Sequence, residues 1–86
     1  MRFMGEYANV KRNKIKKCLL RWLVKKQGIE IKHGGKHQIL IKYVFWERPF
    51  PLPFLHNEVN KHLIKELMQK LVDSEVCTKE EFDQNI

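Results

Sequence analysis

The segment KHGGKHQILIKY, Lys32–Tyr43, places two adjacent glycines between two short runs of strand-forming residues. Isoleucine alternates with polar residues before the glycines, at Ile29 and Ile31, and apolar residues resume after them from Ile39. Alternation of this kind is typical of a half-buried strand. Glycine lets the backbone reverse because it has no Cβ atom to clash. The segment therefore predicts a β-hairpin.

The isoleucine pattern also predicts how the two strands of this hairpin pair. If Ile31 and Ile39 share a face of the sheet and lie opposite each other, Gly34–Lys36 form a three-residue loop. His33 then lies opposite His37. A two-residue turn would spoil this match, so the three-residue loop is the prediction.

Hydrophobic periodicity predicts a helix on each side of the strands. Before the hairpin, apolar residues at helical spacing form one stripe: Ile15, Cys18, Leu19, Trp22 and Leu23. After the strands a second stripe follows: Val59, Leu63, Ile64, Leu67 and Leu71. Each stripe is typical of a helix that packs one side against a core. Asparagines near the start of each helix, at position 9 or 13 and at position 57 or 60, are candidate caps.

Two further patterns complete the chain. Pro51 and Pro53 restrict residues 50–55 to an edge strand or an extended segment, because proline has no N–H group to donate. Thr78–Glu81, with the sequence TKEE, is typical of a capping box that begins a final helical turn carrying Phe82.

The 86 residues therefore predict a single domain of the α+β class. Short connections favour antiparallel pairing, which gives a three-stranded antiparallel sheet with two helices on one face. The predicted elements are a loose lead-in over 1–8, a helix over 9–27, strands over 29–33, 37–43 and 50–55, a helix over 58–72, and a short terminal turn over 79–84.

Charge is distributed unevenly along the chain, whose formal net charge is +7. Residues 1–48 hold 13 Lys and Arg against three Glu, a net charge of +10. Residues 49–86 hold four Lys against seven acidic residues, a net charge of −3. A concentrated basic half predicts that nucleic acid is the partner of the first half. The alternative is a solvated surface that only aids solubility.

Several classes of protein are not indicated. No apolar run approaches the roughly 20 residues that span a bilayer, so no membrane association is expected. Met1–Val10 lacks the apolar core of a secretory signal. Cys18 and Cys77 belong to no CxxC pair, which favours two buried thiols in the cytoplasm over a zinc knuckle or a disulfide. The four histidines have no carboxylates at ligand spacing, so neither a metal nor a cofactor is expected.

Five motifs together resemble a known family. They are WLVKKQGI (Trp22–Ile29), GGKH (Gly34–His37), PFLH (Pro53–His56), HLIKELMQ (His62–Gln69) and TKEEF (Thr78–Phe82). In this order they resemble the HicA family of toxin–antitoxin systems, whose members are mRNA endoribonucleases (mRNA interferases) with a fold similar to a pared-down double-stranded-RNA-binding domain. The resemblance extends from about Leu19 to Phe82.

The resemblance implies an endoribonuclease that cleaves mRNA without metal, uses His37 as its catalytic histidine and is restrained by a cognate antitoxin protein. The chemistry agrees, because an imidazole that titrates near neutral pH can remove the proton of a ribose 2′-hydroxyl. Lys32 or Lys36 could stabilise the charge that develops on the phosphate, and backbone N–H groups at Gly34 and Gly35 could contribute. These four residues form the predicted RNA-binding set.

Other assignments remain open at the level of sequence. His33 is either a second proton-transfer group or a polar edge residue, and His56 either is an auxiliary residue or forms a structural hydrogen bond. Phe45 and Trp46 either stack on unpaired bases or pack in a core or partner interface. The family usually has a small residue where Lys36 stands, so the alternative function is a non-catalytic RNA-binding module. A protein-binding adaptor that docks through the acidic half is a third hypothesis. A monomer is expected for the free protein.

Overall fold

The computed structural model describes residues 7, 10–34, 38–53 and 58–86. Its elements are α1 (Arg12–Arg21), a 3₁₀ helix (Leu23–Lys25), β1 (Ile29–His33), β2 (Gln38–Tyr43), β3 (Phe50–Pro53), α2 (Lys61–Asp73) and α3 (Lys79–Asn85). The strands form one antiparallel sheet with β2 in the centre. The predicted α+β class is confirmed, and the expected terminal turn is a seven-residue helix.

One side of the sheet forms the core with the helices. Ile39 and Ile41 of β2 and Leu52 of β3 are at most 1% exposed on this side. The helical segments add further fully buried residues to the same cluster: Ile15, Leu19, Leu23, Ile64, Leu67, Leu71 and Phe82. Glu30 and Lys32 alternate with the half-buried isoleucines of β1 and are exposed. The other side of the sheet therefore faces solvent.

The hairpin register differs from the predicted one by two residues. Ile31 lies opposite Ile41 and His33 lies opposite Ile39, so His33 is not opposite His37. The N–H of Gly34 donates to the carbonyl of Gln38 at 3.0 Å. A shift of two residues leaves every side chain on its predicted face of the sheet. The alternation of apolar residues is therefore the same in both registers and could not distinguish them.

The first helix is shorter than predicted and begins without a side-chain cap. Its N-cap residue is Lys11, and Asn13 lies inside the first turn rather than at the cap. α1 ends at Arg21, and the backbone continues as a 3₁₀ turn to Lys25. Gly28 then enters β1 with a φ of +84°, and a Cβ atom there would come within 3.0 Å of the Tyr43 ring.

The starts of the other two helices are fixed by side-chain caps. Asn60 Oδ1 accepts the N–H of His62 at 2.8 Å, so α2 begins at Lys61 rather than at the predicted residue 58. The residues just before it remain extended, and the N–H of Val59 donates to the carbonyl of Val10 at 3.0 Å. Thr78 Oγ1 accepts the N–H of Glu81 at 3.1 Å and starts α3.

Some of the sequence predictions lie outside the described residues. They concern the lead-in over 1–8 apart from Tyr7, residue 9 of the first helix, residue 37 of the second strand, residues 54–55 of the third and the candidate caps at positions 9 and 57. None of the described helices has both the length and the apolar character required to cross a bilayer. Cys18 and Cys77 are free and buried, and burial, with a smaller contribution from Cys77, raises the pKa of the Cys18 thiol to about 12.

Phe82 joins α3 to the rest of the core, and its removal is the first test of the fold. Its ring is fully buried and makes edge contacts with Tyr7 and Trp22, with ring centres 5.7 and 6.1 Å apart. We expect Phe82→Ala to lower the free energy of unfolding by about 3–5 kcal/mol, because it leaves a cavity. Urea denaturation measures this change. Gln84→Ala, on the exposed side of the same helix, is the control and should change stability by less than about 0.5 kcal/mol. Equal effects of the two substitutions would mean that α3 is not docked on the core.

Candidate nucleic-acid interface

α1 has a buried side and a charged outer side. Ile15, Cys18 and Leu19 are buried. Because an α-helix has 3.6 residues per turn, residues at other positions around the helix point away from the core. Five of these residues line one shallow depression, and we call them the α1 basic surface: Asn13, Lys16, Lys17, Leu20 and Arg21.

The cations of the α1 basic surface are not neutralised within the described part of the chain. Lys11, just before α1, lies 3.2 Å from the carboxylate of Glu58. Lys26, beyond the other end of α1, pairs with Glu81. Among the described residues no carboxylate lies within 4.0 Å of the three cations between these pairs. The middle of α1 is therefore an uncompensated positive surface.

The first turns of α1 and α2 carry cations where the helix dipole favours anions. Arg12 and Lys14 occupy the first turn of α1, Lys61 occupies that of α2, and neither turn contains an acidic residue. A cation at this position is unfavourable by about 0.3–1 kcal/mol when it is exposed. These positions therefore reduce the stability of the isolated helices.

The structure places the predicted hairpin residues Lys32 and Gly34 on the side of the sheet away from the helices. Lys32 Nζ lies 3.6 Å from a carboxylate oxygen of Glu30 on this side. A Cβ atom on Gly34 would come within 2.9 Å of the Leu40 side chain, so a larger residue would force Leu40 to move. Glycine at position 34 thus avoids a close contact with Leu40. Lys32 and the α1 basic surface lie on opposite sides of the sheet.

Four of the predicted site residues lie outside the described residues: Gly35, Lys36, His37 and His56. His33 is exposed at the end of β1, where it pairs with Ile39. The predicted cross-strand pairing of His33 with His37 is therefore wrong. His62 is exposed on the first turn of α2.

The two aromatic residues after β2 have different environments. Trp46 Nε1 donates to Ser74 Oγ at 2.7 Å, and Lys70 Nζ lies 5.0 Å from the centre of the indole ring. These contacts give Trp46 a packing role between the sheet and α2. Phe45 is 81% exposed and makes an edge contact with Tyr43, with ring centres 5.5 Å apart. Phe45 is therefore the aromatic residue of this pair whose surface is open to a partner.

Glu81 holds the last helix against the end of the α1 region. Its carboxylate accepts a hydrogen bond from Lys26 Nζ and another from Trp22 Nε1 at 3.3 Å. The hydrogen bond from Lys26, followed by that from Trp22, lowers the pKa of Glu81 below its ordinary value of 4.5, against the opposing effect of desolvation. The acidic half of the chain thus neutralises a cation beside the α1 basic surface and leaves the surface itself positive.

The sequence predicted a basic first half of the chain but did not single out this surface of α1. A signal for it was present, because no acidic residue occurs between residues 7 and 29, a stretch with eight Lys and Arg. The pairing of Lys11 and Lys26 depends on residues 47 and 55 positions away. Periodicity cannot identify such contacts, so the cations left unpaired could not be chosen from the sequence.

Comparisons with known proteins identify no relative of the chain: no family model matches it, and neither a curated protein nor a solved structure does. The resemblance to HicA toxins therefore depends on the sequence motifs and stays a prediction. In the part of the chain that the structure describes, no three His, Cys, Asp or Glu side chains are grouped so that they could hold a metal ion.

The contact of Glu81 with Lys26 and Trp22 predicts a pH-dependent contribution to stability. A carboxylate whose pKa is lowered on folding stabilises the protein above its unfolded pKa, and this contribution is lost as pH falls through the folded pKa. We therefore expect Glu81→Gln to lower the melting temperature at pH 7. The difference from the wild type should shrink as the pH falls below about 4.

Glu80→Gln is the matched control, because Glu80 lies in the same helical turn and its loss changes the net charge equally. We expect a smaller effect at pH 7 from this substitution, since no described side chain forms an ion pair with Glu80. Thermal melts of the three proteins between pH 3 and pH 8 measure both effects. Indistinguishable melts for the two variants would contradict the assigned contact.

Proposed function

We propose that this protein binds RNA through the α1 basic surface. The observation that carries the proposal is the absence of carboxylate partners for Lys16, Lys17 and Arg21 among the described residues, although Lys11 and Lys26 on either side are paired. A polyanion can neutralise several such cations at once and release its condensed counterions, which favours binding. The resemblance to a family of RNA-cleaving proteins supports RNA as this polyanion.

The salt dependence of binding tests the surface directly. A single-stranded RNA oligonucleotide should bind with an affinity that falls linearly with salt on a log–log plot, with a slope of about −0.7 for each phosphate contact. Lys17→Gln and Arg21→Gln should each flatten the slope by about 0.7, since each removes one contact. Fluorescence anisotropy over a series of salt concentrations gives the slopes.

Lys11→Gln is the matched control for these variants. It removes the same charge just before the same helix, but Lys11 already has Glu58 as a partner. We expect its slope to remain close to that of the wild type. A slope that changes equally in all three variants would show that only net charge matters and would contradict a defined surface on α1.

We further propose, on the basis of the HicA-like motifs, that the bound RNA is mRNA and that His37 cleaves it. In this mechanism the His37 imidazole removes a proton from a ribose 2′-hydroxyl, and the oxygen attacks the adjacent phosphate. The bond from phosphorus to the 5′ oxygen breaks, and this oxygen takes up a proton from water. The products are a 2′,3′-cyclic phosphate and a free 5′-hydroxyl. Lys36 and Lys32 are the candidates to stabilise the negative charge that develops. The cytoplasm is the proposed location, which agrees with two free cysteines.

Substitution of His37 separates cleavage from binding. Wild-type protein should cut a labelled RNA and leave 5′-hydroxyl ends, and a chelator should not prevent this because the proposed reaction uses no metal. His37→Ala should abolish cleavage and leave binding intact. His33→Ala is the control, since His33 lies on the same hairpin but pairs with Ile39. Gel analysis of the RNA and growth of cells that express each protein provide the two readouts.

The outcomes of this experiment also decide between the two RNA-related functions. Binding without cleavage by the wild type would favour the non-catalytic RNA-binding module. Equal cleavage by wild type and His37→Ala would remove His37 from the mechanism. For a nuclease, the expected protein partner is an antitoxin with an acidic surface that covers Lys32, Lys36 and His37, because it would block the histidine and neutralise the lysines near it in the sequence.

A further inference from the structure

The two outer edges of the sheet differ in their free backbone groups. Gly34 N–H donates to Gln38, and Val44 N–H donates to the carbonyl of Gly28. In an antiparallel pair such bonded positions alternate with positions whose backbone groups point away from the partner strand. The outward positions on β1 are therefore Ile29, Ile31 and His33.

The edge formed by β3 is blocked by proline. Pro51 and Pro53 are paired with Leu40 and Gln38, positions of β2 whose backbone groups point toward β1. The two prolines therefore occupy the outward positions of β3, where they offer no N–H group to an additional strand. β1 has neither proline nor glycine between Ile29 and His33, and no described strand pairs with its outer edge. The sheet is therefore open to strand addition on the β1 side.

We propose that β1 pairs with β1 of a second copy of this chain, in antiparallel orientation and centred on Ile31. In this register Ile31 pairs with Ile31 of the other copy, and Ile29 pairs with His33 of the other copy. The outward backbone groups of each pair then face each other. The N–H of Ile29 already donates to the carbonyl of Lys26 at 3.2 Å, which leaves four interchain hydrogen bonds. The inference goes beyond RNA binding and does not depend on it.

Charge complementarity identifies a second copy as the occupant of this edge. The pairing places Glu30 opposite Lys32 of the other copy, and by symmetry it does so twice. Both positions fall in non-hydrogen-bonded pairs, where side chains on adjacent strands come closest. Within one copy Lys32 Nζ lies 3.6 Å from Glu30 Oε2, and the side chains of Glu30 and Lys32 are 58% and 52% exposed. Both side chains are therefore accessible to a second copy. Symmetric dimers require such a self-complementary patch.

The size of the contact and the charge of the protein set the strength of this dimer. A five-residue edge buries a small area, and two copies with a net charge of +7 repel each other. We therefore expect a weak dimer, which forms appreciably only as the protein concentration rises from micromolar toward millimolar. The α1 basic surface remains accessible, because the new pairing lies in the plane of the sheet.

Charge reversal at the edge tests the register. Sedimentation equilibrium should show a monomer–dimer equilibrium for the wild type. Glu30→Lys and Lys32→Glu should each weaken self-association by about tenfold, since each creates two like-charged pairs. A mixture of the two variants should form a heterodimer at least as stable as the wild-type dimer, because every cross-strand pair is then attractive. The mixture also shows that both variants are folded.

Glu66→Lys on the exposed side of α2 is the control for net charge, and we expect it to leave the dimer within about twofold of the wild type. In hydrogen exchange, the Ile31 amide should become protected as the protein concentration rises. A wild type that stays monomeric over the whole series would overturn the proposal. So would variants that associate like the wild type, or a mixture that associates no better than its components. RNA binding is measured separately at low protein concentration, so its failure would not be confused with failure of the dimer.

Discussion

Burial of Ile39 and Ile41 on the central strand is the constraint on which the rest of the structure depends. β2 is bonded on both sides, and its two isoleucines are at most 1% exposed. Burial of each side chain is worth about 1.5–3 kcal/mol, which fixes the side of the sheet that faces the helices. The same alternation determines which backbone groups of β1 point outward. Because α1 packs Ile15 and Leu19 against this side of the sheet, its cations face solvent.

Apolar packing, rather than charge pairing, therefore holds α1 in place. The ion pairs at its two ends, Lys11–Glu58 and Lys26–Glu81, are partly exposed, and exposed pairs contribute at most about 1 kcal/mol. The cations in the first turn of α1 oppose its dipole. Arg21, in its last turn, instead lies where the dipole favours a cation. The helix is thus stabilised by its buried stripe in spite of the charges of its first turn.

The sequence was sufficient for the α+β class and the three antiparallel strands, because both follow from periodicity and short connections. It was insufficient wherever two alternatives share the same periodicity. A two-residue shift of the hairpin preserves every face, so the pattern could not exclude the pairing of His33 with Ile39. Phe45 and Trp46 are adjacent aromatic residues that the sequence does not distinguish. Their environments differ because Trp46 donates a hydrogen bond to Ser74, 28 positions away. The α1 basic surface was missed for the same reason, since its unpaired state depends on where Glu58 and Glu81 lie.

The geometry of the β1 edge connects the two proposals. A two-fold axis perpendicular to the sheet at Ile31 would extend it to six strands and place both sets of helices on the same side. The two α1 basic surfaces would then face one direction, and a single RNA long enough to span them would bind both. The second contact would benefit from a high effective concentration. By linkage, the factor by which the dimer strengthens RNA binding must equal the factor by which RNA strengthens the dimer. A polyanion would also screen the repulsion between two copies of charge +7, so RNA would favour the dimer most at low salt.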